Sequence, residues 1–305
     1  MENIRERVSK LVGASLARNS VSVYRNAVAK FSGFRKEFIG RETWPATVDD
    51  ILLFIACCFE QGYSPGTISS YVSGISFFHK MNGQQDPTDN FIVRKILEGC
   101  RRSRRQSDSR APITLPILTK IVHALPRVCF SDYEAKLFTA AYVLAYYGML
   151  RVSEVVFTSQ EQADKPLRLS DLVVEPGGQA IQVCIRFSKT NQWGAPTILR
   201  IPTYNGSYKS VCCVGALTQF LSIRPKYQGF LFCHADKSPL TQSQFSGVLS
   251  KAIRYLGLPG GIYKSHSFRI GRATSLALQG MPSEAIQKMG RWQSNAYKKY
   301  IRMDM

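Results

Sequence analysis

The chain has 305 residues, enough for two ordinary domains, and at 45% hydrophobic it is not compositionally disordered. Its 40 Lys and Arg against 21 Asp and Glu leave a formal charge of +19, which favours a polyanionic partner, nucleic acid before an anionic membrane surface. The longest uncharged apolar run, 137–150, is too short to span a bilayer and leads into Arg151, and the mixed-charge N-terminus lacks a signal-peptide stretch.

The first hundred residues read as a helical bundle. Tyr24, Val28, Phe31 and Phe34 recur at helical spacing and give one apolar face. Thr47 is a capping residue ahead of Asp49, Asp50 and the stripe 51–55. Ser64-Pro65 opens the next helix, with Ile68, Tyr71, Val72, Ile75 and Phe78 inside and Gly83 as the stop. A further helix is expected after Asp86-Pro87, carrying Phe91, Ile92, Ile96 and Leu97. Residues 101–112 then lose apolar periodicity, carry much charge and end at Pro112, which predicts an interdomain linker. Its Arg101, Arg102, Arg104 and Arg105 are candidate DNA phosphate contacts; a solvated loop or a localisation tract fits the same charges.

The second domain, 113–305, reads as mostly helical with one small antiparallel sheet. Ile181, Val183, Ile185 and Phe187 alternate with Gln182, Cys184 and Arg186, a half-buried strand over 180–188. Residues 197–201 are its expected partner, and Lys189 lies on the hairpin loop between them. Helices are expected at 242–256, 265–279 and 283–289. Eight cysteines lie scattered, many in apolar runs, as expected of reduced, buried thiols in an intracellular protein. Cys212-Cys213 and Cys233-His234 are weak metal candidates, because no C-x-x-C spacing is present.

The chemistry lies in an ordered set of residues. Attack on a DNA phosphate builds negative charge on the non-bridging oxygens, and without a metal arginine forks hold it best. Arg151 and Arg269 are the candidate clamps, with Glu154 three residues after Arg151 on one helical face to orient it. His266 shares a face with Arg269, and Ser265 can cap their helix towards the anion. Trp292 offers an indole N–H, Tyr300 is the candidate nucleophile with His266 as a base, and Lys189 can protonate the leaving 5′ oxygen. Singly, each has an ordinary explanation as an ion pair, surface helix or packing residue; their ordered coincidence carries the argument. No carboxylate cluster suited to two divalent ions is found.

These motifs resemble the tyrosine recombinase (phage integrase) family along nearly the whole chain. Tyr147-Gly148-Met149-Leu150-Arg151-Val152-Ser153-Glu154 resembles its first arginine box, and His266-Ser267-Phe268-Arg269 its His-x-x-Arg box. Gly290-Arg291-Trp292 resembles the Gly-His/Trp element, Tyr300-Ile301-Arg302 the nucleophile segment, and Lys189 falls at the hairpin lysine. The wording of 290–302 looks most like eukaryotic mobile-element recombinases, the DIRS-like and Crypton groups, which would make the protein nuclear. The resemblance implies a SAM-like helical core-binding domain over 1–100, the basic linker over 101–112 and a catalytic domain over 113–305, forming a C-shaped clamp on double-stranded DNA. It implies a 3′-phosphotyrosyl intermediate, strand exchange through a four-way junction, a homotetramer on DNA, no metal or nucleotide cofactor, and no membrane or small-molecule partner. The alternatives are a type IB topoisomerase-like relaxase and a domesticated DNA-binding protein that no longer cuts. Trp292 to Tyr300 is one residue shorter than the family spacing, which keeps Tyr297 as a second candidate nucleophile. Five residues follow Tyr300 where the family has a segment that docks on a neighbouring protomer, so a fragment or a different assembly is expected.

Overall fold

The computed structural model describes residues 2–16, 18–40, 43–104, 108–187 and 196–302. The chain divides into two compact units, Met1–Asp108 and Ser109–Met305, each with its own core.

The first unit holds α1 (Glu2–Ala14), α2 (Arg18–Phe34), α3 (Val48–Glu60), α4 (Pro65–Met81) and α5 (Phe91–Ser103). Phe31 of α2, Ile51 and Ile55 of α3, Ile68 and Ile75 of α4 and Val93 of α5 meet in its core. The helix starts follow local chemistry. Thr47 and Asp50 form a reciprocal capping box, and the Ser64 side chain accepts from the Thr67 N–H ahead of Pro65. The helix expected after Asp86-Pro87 is α5, which begins at Phe91. Asp86 caps a short 3-10 turn, Pro87–Asp89, and Asn90 caps α5 by accepting from Ile92 N–H at 3.0 Å. The reading of 101–104 as unstructured linker is corrected, because α5 runs on to Ser103. Cys100 is buried against the core, the exposed Arg102 pairs with Glu98 one turn back, and Arg104 lies 3.9 Å from the Phe59 ring centroid. Charge density alone does not reveal that these arginine stems have local partners. Arg105 lies outside the described residues.

The second unit holds α6 (Leu115–Val128), α7 (Asp132–Tyr147), α8 (Val152–Val155), β1 (Leu172–Val174), β2 (Ala180–Ile185), β3 (Thr197–Pro202), α9 (Cys213–Ile223), α10 (Gln242–Tyr255), α11 (His266–Leu278) and α12 (Ser283–Met289). A 3-10 stretch, Asn295–Tyr300, follows. Helix α7 is the apolar run of the sequence. From Leu137 on it is apolar on all sides and is therefore enclosed, and the helix packs against α6, α9 and α11. Among the described residues no helix is long and apolar enough to cross a membrane. The sheet has the antiparallel order β1-β2-β3, with Val183 opposite Leu172 on one side and Leu199 on the other. Ile181, Val183 and Ile185 face inward, but β2 ends at Ile185, and Phe187 is exposed rather than continuing the inward face. Strand β1 is three residues long, too short for alternation to mark it. The described cysteines are free, and burial raises the Cys58 and Cys129 thiols to about 11, as expected of unreactive packing residues.

Two contacts of the segment around Ile113 tie α11 into this unit. Ile113 N–H donates to Ser267 O at 2.9 Å, and a Cβ on Gly271 would lie 1.8 Å from the Ile113 carbonyl oxygen. Glycine at 271 is what lets that strand-like segment lie against α11.

Candidate active site

Two helix ends build the site, and they are built alike. At the end of α7, Leu150 N–H donates to Ala145 O and Met149 N–H to Tyr146 O, closing the helix with Met149 left-handed at φ 44°. At the end of α12, Trp292 N–H donates to Gln287 O and Arg291 N–H to Lys288 O, with Arg291 left-handed at φ 56°. In each case the position that most favours glycine carries a side-chain residue, and Gly148 or Gly290 stands just before it. Gly290 has its own constraint, since a Cβ there would sit 1.7 Å from the Trp292 ring.

Arg269 of α11 joins the two ends. Its Nη1 donates to Met149 O and its Nη2 to Gly290 O, and the residue is 1% exposed. The guanidinium carbon lies 4.2 Å from the Trp292 ring centroid and 5.5 Å from that of Tyr300. Arg151 is not inside a helix, as its spacing to Glu154 suggested. It is the extended residue preceding α8, and Glu154 folds back on it. Glu154 accepts from Arg151 N–H at 2.9 Å and from Arg151 Nη1 at 3.0 Å. The same carboxylate accepts from Arg291 Nη2 at 2.8 Å. Arg291 Nη1 donates to Gly148 O at 3.0 Å.

Two guanidiniums, Arg151 and Arg291, thus share the Glu154 carboxylate, and the buried Arg269 lies close enough to feel the charge of all three. The arrangement has a net positive charge that wants an anion. Burial, with the like charges of Arg151 and Arg291, pushes the Arg269 pKa down to about 9 against the opposing pull of Glu154 and Tyr300, so it is charged at neutral pH. Burial lowers Arg291 as well, and the charge of Glu154 partly offsets that.

The C-terminal tail lies on α11 and α12 through a small core of Met149, Ala273, Leu276, Ile286, Trp292 and Tyr297. Thr274 fastens it, donating to Tyr300 O at 3.3 Å while accepting from Arg302 N–H at 3.1 Å. Tyr297 and Tyr300 do not share a setting. Tyr297 is 4% exposed, whereas Tyr300 is half-buried with its ring 5.0 Å from Trp292.

Of the residues expected in the site, Arg151, Glu154, Arg269, Trp292 and Tyr300 come together in one cluster. His266 stands half-buried at the first position of α11, one turn before Arg269. Ser265 does not cap that helix. It has helical backbone angles and no capping bond, while Ser267 Oγ accepts from Lys264 N–H at 2.9 Å. Lys189 lies outside the described residues. Arg101, Arg102 and Arg104 belong to the first unit. The residue that sequence reasoning passed over is Arg291. Its signal was a cation inside the Gly-x-Trp element, at a position that a helix stop would give to a flexible residue.

With this geometry in hand, the likenesses are specific. Residues 210–305 match the phage integrase family. The chain is 23% identical over 303 residues to the integrase/recombinase xerD homolog of Selenomonas ruminantium, covering 96% of this chain and 84% of that protein. It is similar to the Tn1549 transposon integrase solved with circular intermediate DNA, at TM-score 0.62 and 16% identity, covering 100% of this chain and 94% of that one. It is also similar to a lambda integrase dimer bound to a COC′ core site, at TM-score 0.64 and 15% identity, covering 99% and 95%. The fold is therefore that of integrase core-binding and catalytic domains over the full length. The direct family match lies in 210–305, and over its full length the chain shares the fold of the solved integrases.

Proposed function

We propose that the protein is a site-specific DNA recombinase or integrase that breaks and rejoins strands through a 3′-phosphotyrosyl intermediate without a metal. The observation that carries this is the cluster of Arg151 and Arg291 on the Glu154 carboxylate, Arg269 beside them, and the half-buried Tyr300 ring next to Arg269. Arg151 and Arg269 hold the non-bridging oxygens as charge develops on them, with Trp292 and His266 as further donors. The Tyr300 Oη–phosphorus bond forms and the bond from phosphorus to the 5′ oxygen breaks. The tyrosine proton passes to a base, for which His266 is the candidate, and Lys189 supplies the proton taken by the 5′ oxygen. The DNA-bound state of the similar integrases and the name of the Selenomonas ruminantium relative support DNA as substrate. Assembly as a homotetramer that clamps the duplex, and DNA contact by Arg101, Arg102, Arg104 and Arg105, belong to the same proposal. Assignment to the eukaryotic DIRS-like or Crypton groups, with a nuclear location, rests on the wording of 290–302 alone.

The test is to incubate the protein with nicked duplexes in EDTA, isolate covalent protein–DNA adducts and map the modified tyrosine. An adduct at Tyr300 that forms in EDTA supports the proposal. Binding without any adduct favours the non-cutting DNA-binding protein. Adducts that yield relaxed circles but neither junctions nor exchanged strands favour the topoisomerase-like relaxase.

A further inference from the structure

Arg291 is an expensive choice for its position. Its left-handed φ of 56° is the conformation that favours glycine, and its side chain is a buried charge, 6% exposed. Neither feature helps to close helix α12, which glycine would do without strain. What the side chain does is specific. Its fork reaches three groups of the distant 148–154 segment at once, Gly148 O, Met149 O and the Glu154 carboxylate. Glu154 in turn holds Arg151 by both its backbone N–H and its guanidinium. Arg269 sits between the same two segments, donating to Met149 O and Gly290 O. The two clamp arginines therefore depend on how the end of α7 is set against the end of α12, and Arg291 is the cross-link between those ends.

We propose that Arg291 is a positioning residue: it fixes Glu154 and the 148–149 carbonyls against the end of α12, so that Arg151 and Arg269 converge on one phosphate. Its Nη2 is paired at 2.8 Å with the Glu154 carboxylate, the group that also holds Arg151, so it acts through Glu154 rather than on the phosphate. A lysine cannot replace it, because one ammonium does not reproduce a planar fork that spans a carboxylate and a carbonyl. The proposal rests on the reading of this site as a phosphodiester-cleaving centre.

The experiment uses the full chain and duplexes from a random-sequence nicked pool on which the wild type forms a tyrosyl adduct. Adduct rate in single turnover, DNA Kd and thermal midpoint are measured for Arg291→Gly, Arg291→Lys, Glu154→Gln and the double variant Arg291→Gly/Glu154→Gln. Arg291→Gly removes the backbone strain together with the fork. Its adduct rate is expected to fall about ten- to a hundredfold, the scale of a small misplacement of reacting groups, while Kd stays within about twofold. Arg291→Lys, which keeps the charge and so guards against a Gly variant that fails to fold, is expected to lose at least half of that on a logarithmic scale. Adding Glu154→Gln to Arg291→Gly should cost little more than the larger single loss, because both act through one carboxylate. A folded Arg291→Gly or Arg291→Lys chain that cleaves at the wild-type rate overturns the proposal. So does a rate loss matched by an equal loss of affinity, which marks a direct DNA contact, or a double variant whose losses multiply. A wild-type chain that binds DNA but forms no adduct with any duplex sinks the functional reading itself, and the positioning role with it.

Discussion

Neighbouring side chains that look equivalent in a sequence diverge once their surroundings are known. Tyr297 is enclosed against Trp292, while Tyr300 remains half-buried beside the Arg269 guanidinium. Tyr300→Phe should therefore abolish covalent adducts with DNA affinity nearly unchanged, and Tyr297→Phe should keep cleaving; mass spectrometry of the adduct peptide checks the assignment, and the reverse pattern would move the nucleophile. Arg269 supplies a pH argument with a definite sign. Its pKa is pushed below the ordinary arginine value to about 9, so the folded chain holds that proton less tightly than the unfolded chain. The resulting penalty is present in full below pH 9 and is relieved as the pH rises through it. At neutral pH an anion in the pocket should offset it, so sulfate at fixed ionic strength should raise the thermal midpoint of the wild type and have little effect on Arg269→Gln. Equal stabilisation of both would place the anion elsewhere. Lys189 is tested by chemistry. A 5′-bridging phosphorothiolate has a sulfur leaving group that needs little protonation, so Lys189→Ala should be slow on normal DNA and near wild type on the sulfur substrate. Arg269→Ala should be slow on both by about a hundredfold or more, because charge on the phosphate still needs a partner. A Lys189→Ala chain that is slow on both substrates would make the lysine a phosphate contact.

The elements matter through their ends. Helices α7 and α12 both stop with a left-handed non-glycine residue, and both stops turn backbone carbonyls towards Arg269. Helix α11 is placed by the close approach of the Ile113 carbonyl to Gly271. Gly271→Ala forces backbone apart and should destabilise the second unit by about 1–3 kcal/mol, measured by urea unfolding. Cleavage should fall along with it, because α11 carries both His266 and Arg269. An alanine variant with unchanged stability would mean that the Ile113 segment is free to move.

At the scale of the molecule, the +19 charge is the governing quantity. DNA binding should weaken steeply with salt through release of counterions. Replacing Arg101, Arg102, Arg104 and Arg105 together by Ala tests their share, with each lost phosphate contact expected to lower the logarithmic salt slope by about 0.9. Arg102 pairs with Glu98 and Arg104 lies over Phe59, so they must leave local partners to reach DNA. An unchanged slope would assign these arginines to finishing α5 and packing its end.

Local rules explain why so much of the fold was legible. Thr47 and Ser64 cap because a hydroxyl can satisfy helix-end N–H groups wherever it stands, and the alternation through Ile181, Val183 and Ile185 marks a half-buried strand. The likeness of 147–154, 266–269 and 290–302 to a family was equally open to inspection, because such motifs are short and contiguous. Other features depend on what a segment meets. Whether Ser265 or Ser267 serves the start of α11, whether α5 stops before or after its arginines, and which tyrosine packs inward are settled by contacts with residues distant in sequence. Arg291 is the clearest case. Spacing shows a cation beside a tryptophan, but its meaning lies in Glu154 and Gly148, more than 130 residues away, which only the tertiary structure brings within hydrogen-bonding reach.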